Sequence, residues 1–377
     1  MKDVRTWIEI DQKALRHNVK QFLKLIPAHT RLMAVVKSNA YGHGLVQVAS
    51  VLERMFRRTP VRLWFGVDSV VEALRLRKEG VGGRIFVLGY TLPFRIKDAA
   101  REHITLTVSN FDFLKAIAKA KKRPRFHIKI DTGMHRQGFM PSDVPRLISF
   151  LKRHDMAPEG IFTHLAQAKD SRRPAYTRTQ MKHFRKAIGL FEHAGLHNVI
   201  THAAASGGIL LFPDTRCDMV RIGMGLYGYW PSEESKRERK RLCISLRPGM
   251  SWKTIVAEVK KIPRGARVGY DGTERVKRRT TIAVLPIGYW HGYNRRLSGR
   301  GEVLIRGKRA RVLGRVSMDM MVVDVTKIRG TRVGDMAVLL GNQGKASIWA
   351  EELAEKSGTS HYEFLTRINP LIRKIIV

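Results

Sequence analysis

The chain has 377 residues, 44% of them hydrophobic, and its 70 lysines and arginines against 32 aspartates and glutamates give a formal net charge of +38. That length holds one large domain or two ordinary ones, and the apolar content excludes a disordered chain. No run reaches the ~20 apolar residues of a membrane span, "MKDVRTWIEI" lacks a signal-peptide core, and Cys217 and Cys243 form neither a disulfide framework nor a metal-ligand spacing, so a soluble cytoplasmic protein without a metal is expected.

"TWIEID" (6–11) reads as a strand ahead of a first helix, able to join either half of the chain. From residue 31 to about 228, short β-rich runs recur: "RLMAVVK" (31–37), "RLWFGVD" (62–68), "RIFVLGY" (84–90), "ITLTVS" (104–109), "RFHIKID" (125–131), "EGIFTH" (159–164), "HNVITHA" (197–203) and "DMVRIGMGLYG" (218–228). Helix-period segments such as 111–122 and 174–195 separate most of them, while "AASGGILLFPDT" (204–215) has room for only a brief helix. Eight strands alternating with helices predict a (β/α)8 TIM-like barrel, preferred on strand count to a doubly wound open sheet.

"SEESKRERKR" (232–241) reads as a polar linker. It holds one of the two densest basic clusters, "KRERKR"; the other is "RVKRR" (275–279), and neither interleaves the aromatics that stack on bases. A solvated basic surface, with no specific nucleic-acid partner, is the reading. Beyond the linker, alternating strands broken by Gly-rich turns run through 250–273, 280–290, 301–325 and 334–341. Only "SIWAEELAEKSG" (347–358) reads as a helix there, with Ser347 as N-cap and Gly358 as stop. The chain therefore divides into an α/β barrel domain over 1–235, residues 1–10 being free to pair with the other half, and a mostly-β C-terminal domain over 240–377.

In a barrel, chemistry gathers where strands end. Those tips carry Lys37, Asp68, Lys129 with Asp131, His164, Ser206 just beyond its strand, and Arg221. Lys37 follows Ala34-Val35-Val36 and precedes a tight turn, an arrangement that would keep its amine inside the barrel mouth. A desolvated lysine becomes a Schiff-base nucleophile, as a pyridoxal phosphate enzyme requires. Tyr41 is then near enough to offer its hydroxyl to a phosphate. The loops after the last two strands suit that phosphate: Ser206 with Gly207-Gly208, and the amides of Gly223 and Met224.

With these residues in hand, the sequence resembles the alanine racemase family over nearly its whole length. The motifs are "AVVKSNAYGHG" (34–44), "KIDTGMHRQG" (129–138), "THLA" (163–166), "HAAAS" (202–206), "MVRIGMGLYG" (219–228), "VGYDGT" (268–273), "LPIGYWHGYNRRL" (285–297) and "GRVSMDMMVVDVT" (314–326). The resemblance implies pyridoxal 5'-phosphate carried on Lys37, with Lys37 and Tyr270 as two bases serving opposite faces of the substrate α-carbon. A tyrosine has an ordinary pKa near 10 and needs support as a base; His164 and Arg221 are the implied support. Arg221 is also implied to face the pyridine nitrogen, which a guanidinium leaves unprotonated, limiting side reactions such as transamination. Arg136 resembles the arginine that holds the substrate carboxylate, and Lys129 a lysine that is carbamylated in many relatives. Met318 and Asp319 resemble a substrate-binding loop, Tyr289 a gate residue and Tyr362 a phosphate ligand. Because Tyr270, Tyr289, Met318 and Asp319 lie in the β domain, the resemblance implies a head-to-tail homodimer with shared sites. It further implies interconversion of L- and D-alanine, supplying D-alanine for peptidoglycan.

Four positions depart from the family pattern: Ala205 for a common asparagine, Trp290-His291 for a small residue and aspartate, and Ser317 for a common cysteine. These bear on substrate range more than on reaction type. The alternatives are a broader serine or lysine racemase, a decarboxylase of the same build, which wants a carboxylate where Arg221 stands, a non-catalytic cofactor-binding protein, for which the β domain is superfluous, and a nucleic-acid binder using the positive field.

Overall fold

The computed structural model describes residues 4–59 and 61–377. They part into two compact units: one comprises the chain up to Gln12, Tyr41–Gln47 and Pro248–Val377, the other Lys13–Ala40 and Val48–Arg247. No helix among the described residues is long and apolar enough to cross a membrane.

Strand β1 (Thr6–Ile10) belongs to the first unit; the next eight strands build the second. These are β2 (Arg31–Val35), β3 (Leu63–Val67), β4 (Arg84–Val87), β5 (Ile104–Val108), β6 (Phe126–Lys129), β7 (Gly160–Phe162), β8 (Ile200–His202) and β9 (Met219–Ile222). All pair in parallel in the order β8-β7-β6-β5-β4-β3-β2-β9. The ends meet where Arg221 N–H donates to Ala204 O at 3.1 Å, so eight strands form a nearly closed (β/α)8 barrel. Both strand faces are covered, which is why the strands read as near-continuous apolar runs rather than as alternation. Met33, Trp64, Phe86, Phe162, Ile200 and Met219, one each from β2, β3, β4, β7, β8 and β9, pack into a single buried cluster. Side-chain caps set the flanking helices: Asn110 Oδ1 accepts from Phe113 N–H at 2.8 Å to start Phe111–Ala118, and Ser69 Oγ accepts from Glu72 N–H to start Val70–Lys78.

The other unit is a ten-stranded sheet with a two-stranded hairpin. Its strands are β10 (Met250–Ile255), β11 (Glu258–Ile262), β14 (Thr280–Leu285), β15 (Glu302–Ile305), β16 (Lys308–Leu313), β17 (Met321–Asp324), β18 (Met336–Gln343), β19 (Ala346–Ile348) and β20 (Arg373–Ile376), with β12 (Arg267–Val268) and β13 (Glu274–Arg275) as the hairpin. β1 completes it, antiparallel to β10 and parallel to β20. On β10, Met250, Trp252 and Thr254 point inward in strict alternation.

Several expected elements differ. The run at 218–228 is strand only to Ile222, after which Gly223, Gly225 and the left-handed Gly228 (φ 88°) turn it into a 3-10 segment. Ser347 sits inside β19, and Trp349 is the N-cap of helix Ala350–Ser357, which does end on left-handed Gly358 (φ 66°). A second helix, His361–Thr366, escaped the periodicity because it is only six residues long; Ser360 caps it. The polar stretch 232–241 is not bare linker: Ser232 starts helix Glu233–Arg237.

After β2 the backbone enters a left-handed turn. Ser38, Asn39, Ala40 and Tyr41 hold φ between 51° and 55°, and Gly42 follows at 87°. Each such non-glycine residue costs roughly 1–2 kcal/mol, so the turn has to be held by what surrounds it. At Gly42 a Cβ would lie 2.2 Å from Leu365 O. Gly42→Ala is therefore expected to destabilise the protein by about 2 kcal/mol or more, read as a lower denaturant midpoint with unchanged m; an unaltered midpoint would contradict the close approach.

Candidate active site

Lys37 directly follows the barrel strand β2 and the fully buried Val36. Where the apolar lead-in suggests a desolvated amine, the side chain is half-buried, 35% exposed, and Nζ pairs with Asp68 Oδ1 at 3.1 Å. Asp68 directly follows β3, the next strand, and parallel pairing of β2 with β3 delivers both tips to one place.

Deeper in the same barrel mouth, Arg221 on β9 is buried. It donates to His202 Nδ1 at 2.6 Å, Ala203 O at 2.7 Å, Thr163 O at 2.8 Å and His164 Nδ1 at 3.3 Å. Among the described residues no carboxylate pairs with it, and burial pulls its pKa down to about 10. Around it the positive charge is felt. His164 is held neutral, its pKa lowered to about 3 by burial and then by Arg221 and Arg136. Lys129, at the end of β6, is lowered to about 8 by burial and by the same two arginines. Lys129 Nζ donates to Gln137 Oε1 at 3.0 Å. Lys129, Asp131, Arg136, Gln137 and His164 line one narrow recess. The loop carrying Arg136 is shaped by Asp131, whose carboxylate accepts from the N–H groups of Gly133, His135 and Arg136 at 2.8–3.1 Å; the Arg136 side chain itself is exposed.

Ser206 opens the short helix Ser206–Leu211 and is buried. Its Oγ accepts from Gly223 N–H at 3.0 Å and Gly225 N–H at 3.4 Å, so two loop amides already converge on one oxygen. The cradle admits no side chains: a Cβ on Gly225 would lie 2.3 Å from the Phe22 ring, and on Gly207 2.5 Å from Ala168 O. Met224 is buried in the turn between them.

The expected residues of the β unit form two groups and one outlier. Tyr41 and Tyr362 have ring centroids 6.4 Å apart, and burial raises the Tyr362 phenol to about 12. Tyr289 and Trp290 donate their backbone N–H groups to Ser317 O and Met318 O, both at 3.0 Å, which ties the gate residue to the Met318-Asp319 loop. Gly288 makes this approach possible, since a Cβ there would lie 2.1 Å from Ser317 O. His291, one of the departures, is buried, its Nδ1 accepting from Gly288 N–H at 3.2 Å. Tyr270 stands apart on a turn of left-handed Gly269, Asp271 and Gly272, 68% exposed and without a hydroxyl hydrogen bond among the described residues. The neighbouring Asp271 pairs with Arg315.

Sequence reasoning missed His202 and His127 as members of this polar system. His202 stood in a quoted motif, and His127 lies two residues before Lys129, hence on the same strand face; period-2 alternation was the available signal.

A barrel with a lysine, a histidine and a buried arginine at the tips of its strands, followed by a mostly-β unit, has the two-part build of a class of amino-acid-handling enzymes. Family models agree along the chain: residues 10–231 match the N-terminal domain of alanine racemase and 249–376 its C-terminal domain. The chain is 39% identical to the alanine racemase of Desulforamulus reducens over 98% of both chains, and 40% identical to that of Symbiobacterium thermophilum over 97% of this chain and 95% of the relative. Among solved structures it is similar to the alanine racemase of Clostridium difficile 630 (TM-score 0.91, 33% identity, 99% and 96% of the two chains) and to that of Bacillus anthracis with bound L-Ala-P (TM-score 0.91, 33% identity, 99% and 95%). The chain belongs to the alanine racemase family.

The lowered Lys129 pKa has a consequence for stability. Below about pH 8 the native and unfolded chains both hold its proton, and the burial cost is borne in full. From about 8 up to the ordinary lysine value the unfolded chain keeps a proton that the native state has released, so stability rises with pH. Lys129→Met is expected to abolish this rise, up to about 3 kcal/mol, in urea unfolding compared near neutrality and near pH 10; an equal rise in both proteins would rule Lys129 out as its source.

Proposed function

We propose that the protein is a pyridoxal phosphate-dependent racemase interconverting L- and D-alanine, and that its product serves peptidoglycan synthesis. The observation that carries this reading is the convergence of Lys37, Lys129, Arg136, His164, Ser206 and Arg221 on one end of the barrel, in a chain whose whole length matches the family. The residues fit the cofactor on two counts. Arg221 is a buried cation that no carboxylate pairs with among the described residues, able to donate an N–H to a ring nitrogen without surrendering a proton. The Gly223 and Gly225 amides already converge on one oxygen, the Ser206 hydroxyl, in a turn whose glycines keep Cβ atoms out, and a phosphate oxygen suits such a gathering of donors.

In this reading Lys37 holds the cofactor, released from Asp68. Ser206, the amides of Gly223 and Met224, and the hydroxyls of Tyr41 and Tyr362 hold its phosphate. When bound, the cofactor supplies the electron withdrawal that acidifies the substrate α-hydrogen. Arg136 binds the alanine carboxylate, with a backbone amide of the Met318-Asp319 loop, and Tyr289 narrows the entrance. Lys37 removes or returns the proton on one face and Tyr270 on the other, because one base cannot serve both. His164, neutral at working pH, and Arg221 orient and polarise the tyrosine. Lys129, with a free amine available near pH 8, is a candidate for carbamylation, which would set an anion beside Arg136.

Tyr270 acts on a second copy of the chain. Its exposure, and that of Tyr289, Trp290, Met318 and Met320 on the same unit, supports a homodimer with shared sites, since large apolar side chains on tied loops favour a protein partner.

Purified protein is expected to racemise alanine faster than serine or lysine and to carry a cofactor absorption band that vanishes, with the activity, in Lys37→Ala; retention of RNA without racemisation would favour the polyanion reading instead. In deuterium oxide, Tyr270→Phe should slow Cα exchange starting from one alanine enantiomer by roughly 10²–10⁴-fold and far less from the other. Small, equal effects on both enantiomers would remove the two-base assignment.

A further inference from the structure

Inward positions of a barrel are ordinarily filled by branched apolar side chains, yet His127 and His202 sit there fully buried. His127 is the second residue of β6 and His202 the last of β8, on either side of β7. The intervening strand is hollowed for them: a Cβ on Gly160 would lie 2.5 Å from His127 Nδ1. The rings pack among Trp64, Phe86 and Phe162, with His202 stacked on Phe162 at 4.6 Å.

The polar contacts form one line from the mouth of the barrel to its foot. Arg221 Nη1 meets His202 Nδ1 at 2.6 Å and His202 Nε2 meets His127 Nδ1 at 2.9 Å, while His127 Nε2, without a hydrogen bond among the described residues, lies 3.5 Å from Glu159 Oε2. Glu159 precedes β7 at the opposite end from the candidate site, where it accepts from Thr105 Oγ1 at 3.0 Å and pairs with Arg84 and, at 3.7 Å, with Arg125. A guanidinium offers only N–H groups, so His202 Nδ1 has to accept and its proton sits on Nε2. That N–H donates to His127 Nδ1, which places the second ring's proton on Nε2, toward the carboxylate. A second proton on either ring would set N–H against N–H.

We propose that His202, His127 and Glu159 are positioning residues for Arg221: a one-way chain of neutral imidazoles that fixes the guanidinium at the mouth and links its charge to a carboxylate at the foot. The kinetic consequence rests on the racemase reading; the proton positions do not.

Histidine-selective 15N labelling of the full-length protein, read by long-range 1H–15N spectra, gives the tautomers directly. Both rings are expected to be neutral, with the proton on Nε2, over roughly pH 6–9. His127→Phe keeps a ring against Trp64 and Phe86 but removes both nitrogens. It should lower kcat for alanine about tenfold with KM within about twofold, and His202 should lose its single tautomer. Glu159→Gln, which keeps the shape and removes the charge, should lower kcat in the same sense and shift the His127 nitrogens. A cationic ring, a proton on Nδ1, or unchanged kcat and unchanged His202 signals in the variants would reduce the chain to packing and overturn the proposal. Should the wild type fail to racemise alanine, the racemase reading falls while the tautomers still judge the chain.

Discussion

A guanidinium sealed inside a barrel is the constraint on which the candidate site depends. Taking a cation out of water costs several kcal/mol unless its surroundings replace the lost hydration. Arg221 finds that replacement in two carbonyls and two imidazole nitrogens rather than in a carboxylate. Its charge is solvated by dipoles but not cancelled, and the neighbourhood adjusts: His164 stays neutral and Lys129 is a weaker base than an ordinary lysine. An uncancelled field of this kind, walled by low-dielectric side chains, draws anions such as phosphates and carboxylates.

Backbone geometry is the second means by which the fold serves the site. Just after Lys37, four consecutive non-glycine residues adopt a left-handed turn. Strain of that size persists only where surrounding structure over-determines it, and such places cluster at functional sites. Glycines do the complementary work. Gly160, Gly207, Gly225 and Gly288 each stand where a Cβ would collide with a ring or a carbonyl, so close approach of backbone and side chain replaces side-chain bulk. The glycines are compatible with strand, helix and turn alike; what they share is proximity to a polar group that has to be held.

The β unit contributes differently. Its core is closed by alternation and by the long β18, but Tyr270, Tyr289 and Met318 stand outward on turns. The Tyr289 and Met318 loops are stitched to each other by backbone hydrogen bonds, and Tyr270 is presented on a turn of its own. Exposed aromatic and thioether side chains on these loops are what the proposed second copy of the chain would cover.

Length, period and strand-tip chemistry were readable from the sequence alone: eight apolar runs with helices between them, a lysine, histidine and arginine at their ends, and motifs that covered the chain. Those signals are local, so one strand and its neighbours suffice to write them. Lys37's ion pair with Asp68 was not readable, because it depends on which two tips the parallel register brings side by side. Nor was the His202–His127 line, whose partners lie 75 residues apart and meet only across a glycine in the strand between. Helix His361–Thr366 was too short to show a period, and the left-handed turn has no composition of its own, since Ser, Asn, Ala and Tyr do not demand it. Residue types decided what chemistry is available; closure of the barrel decided which groups are buried, which are paired and therefore which are charged.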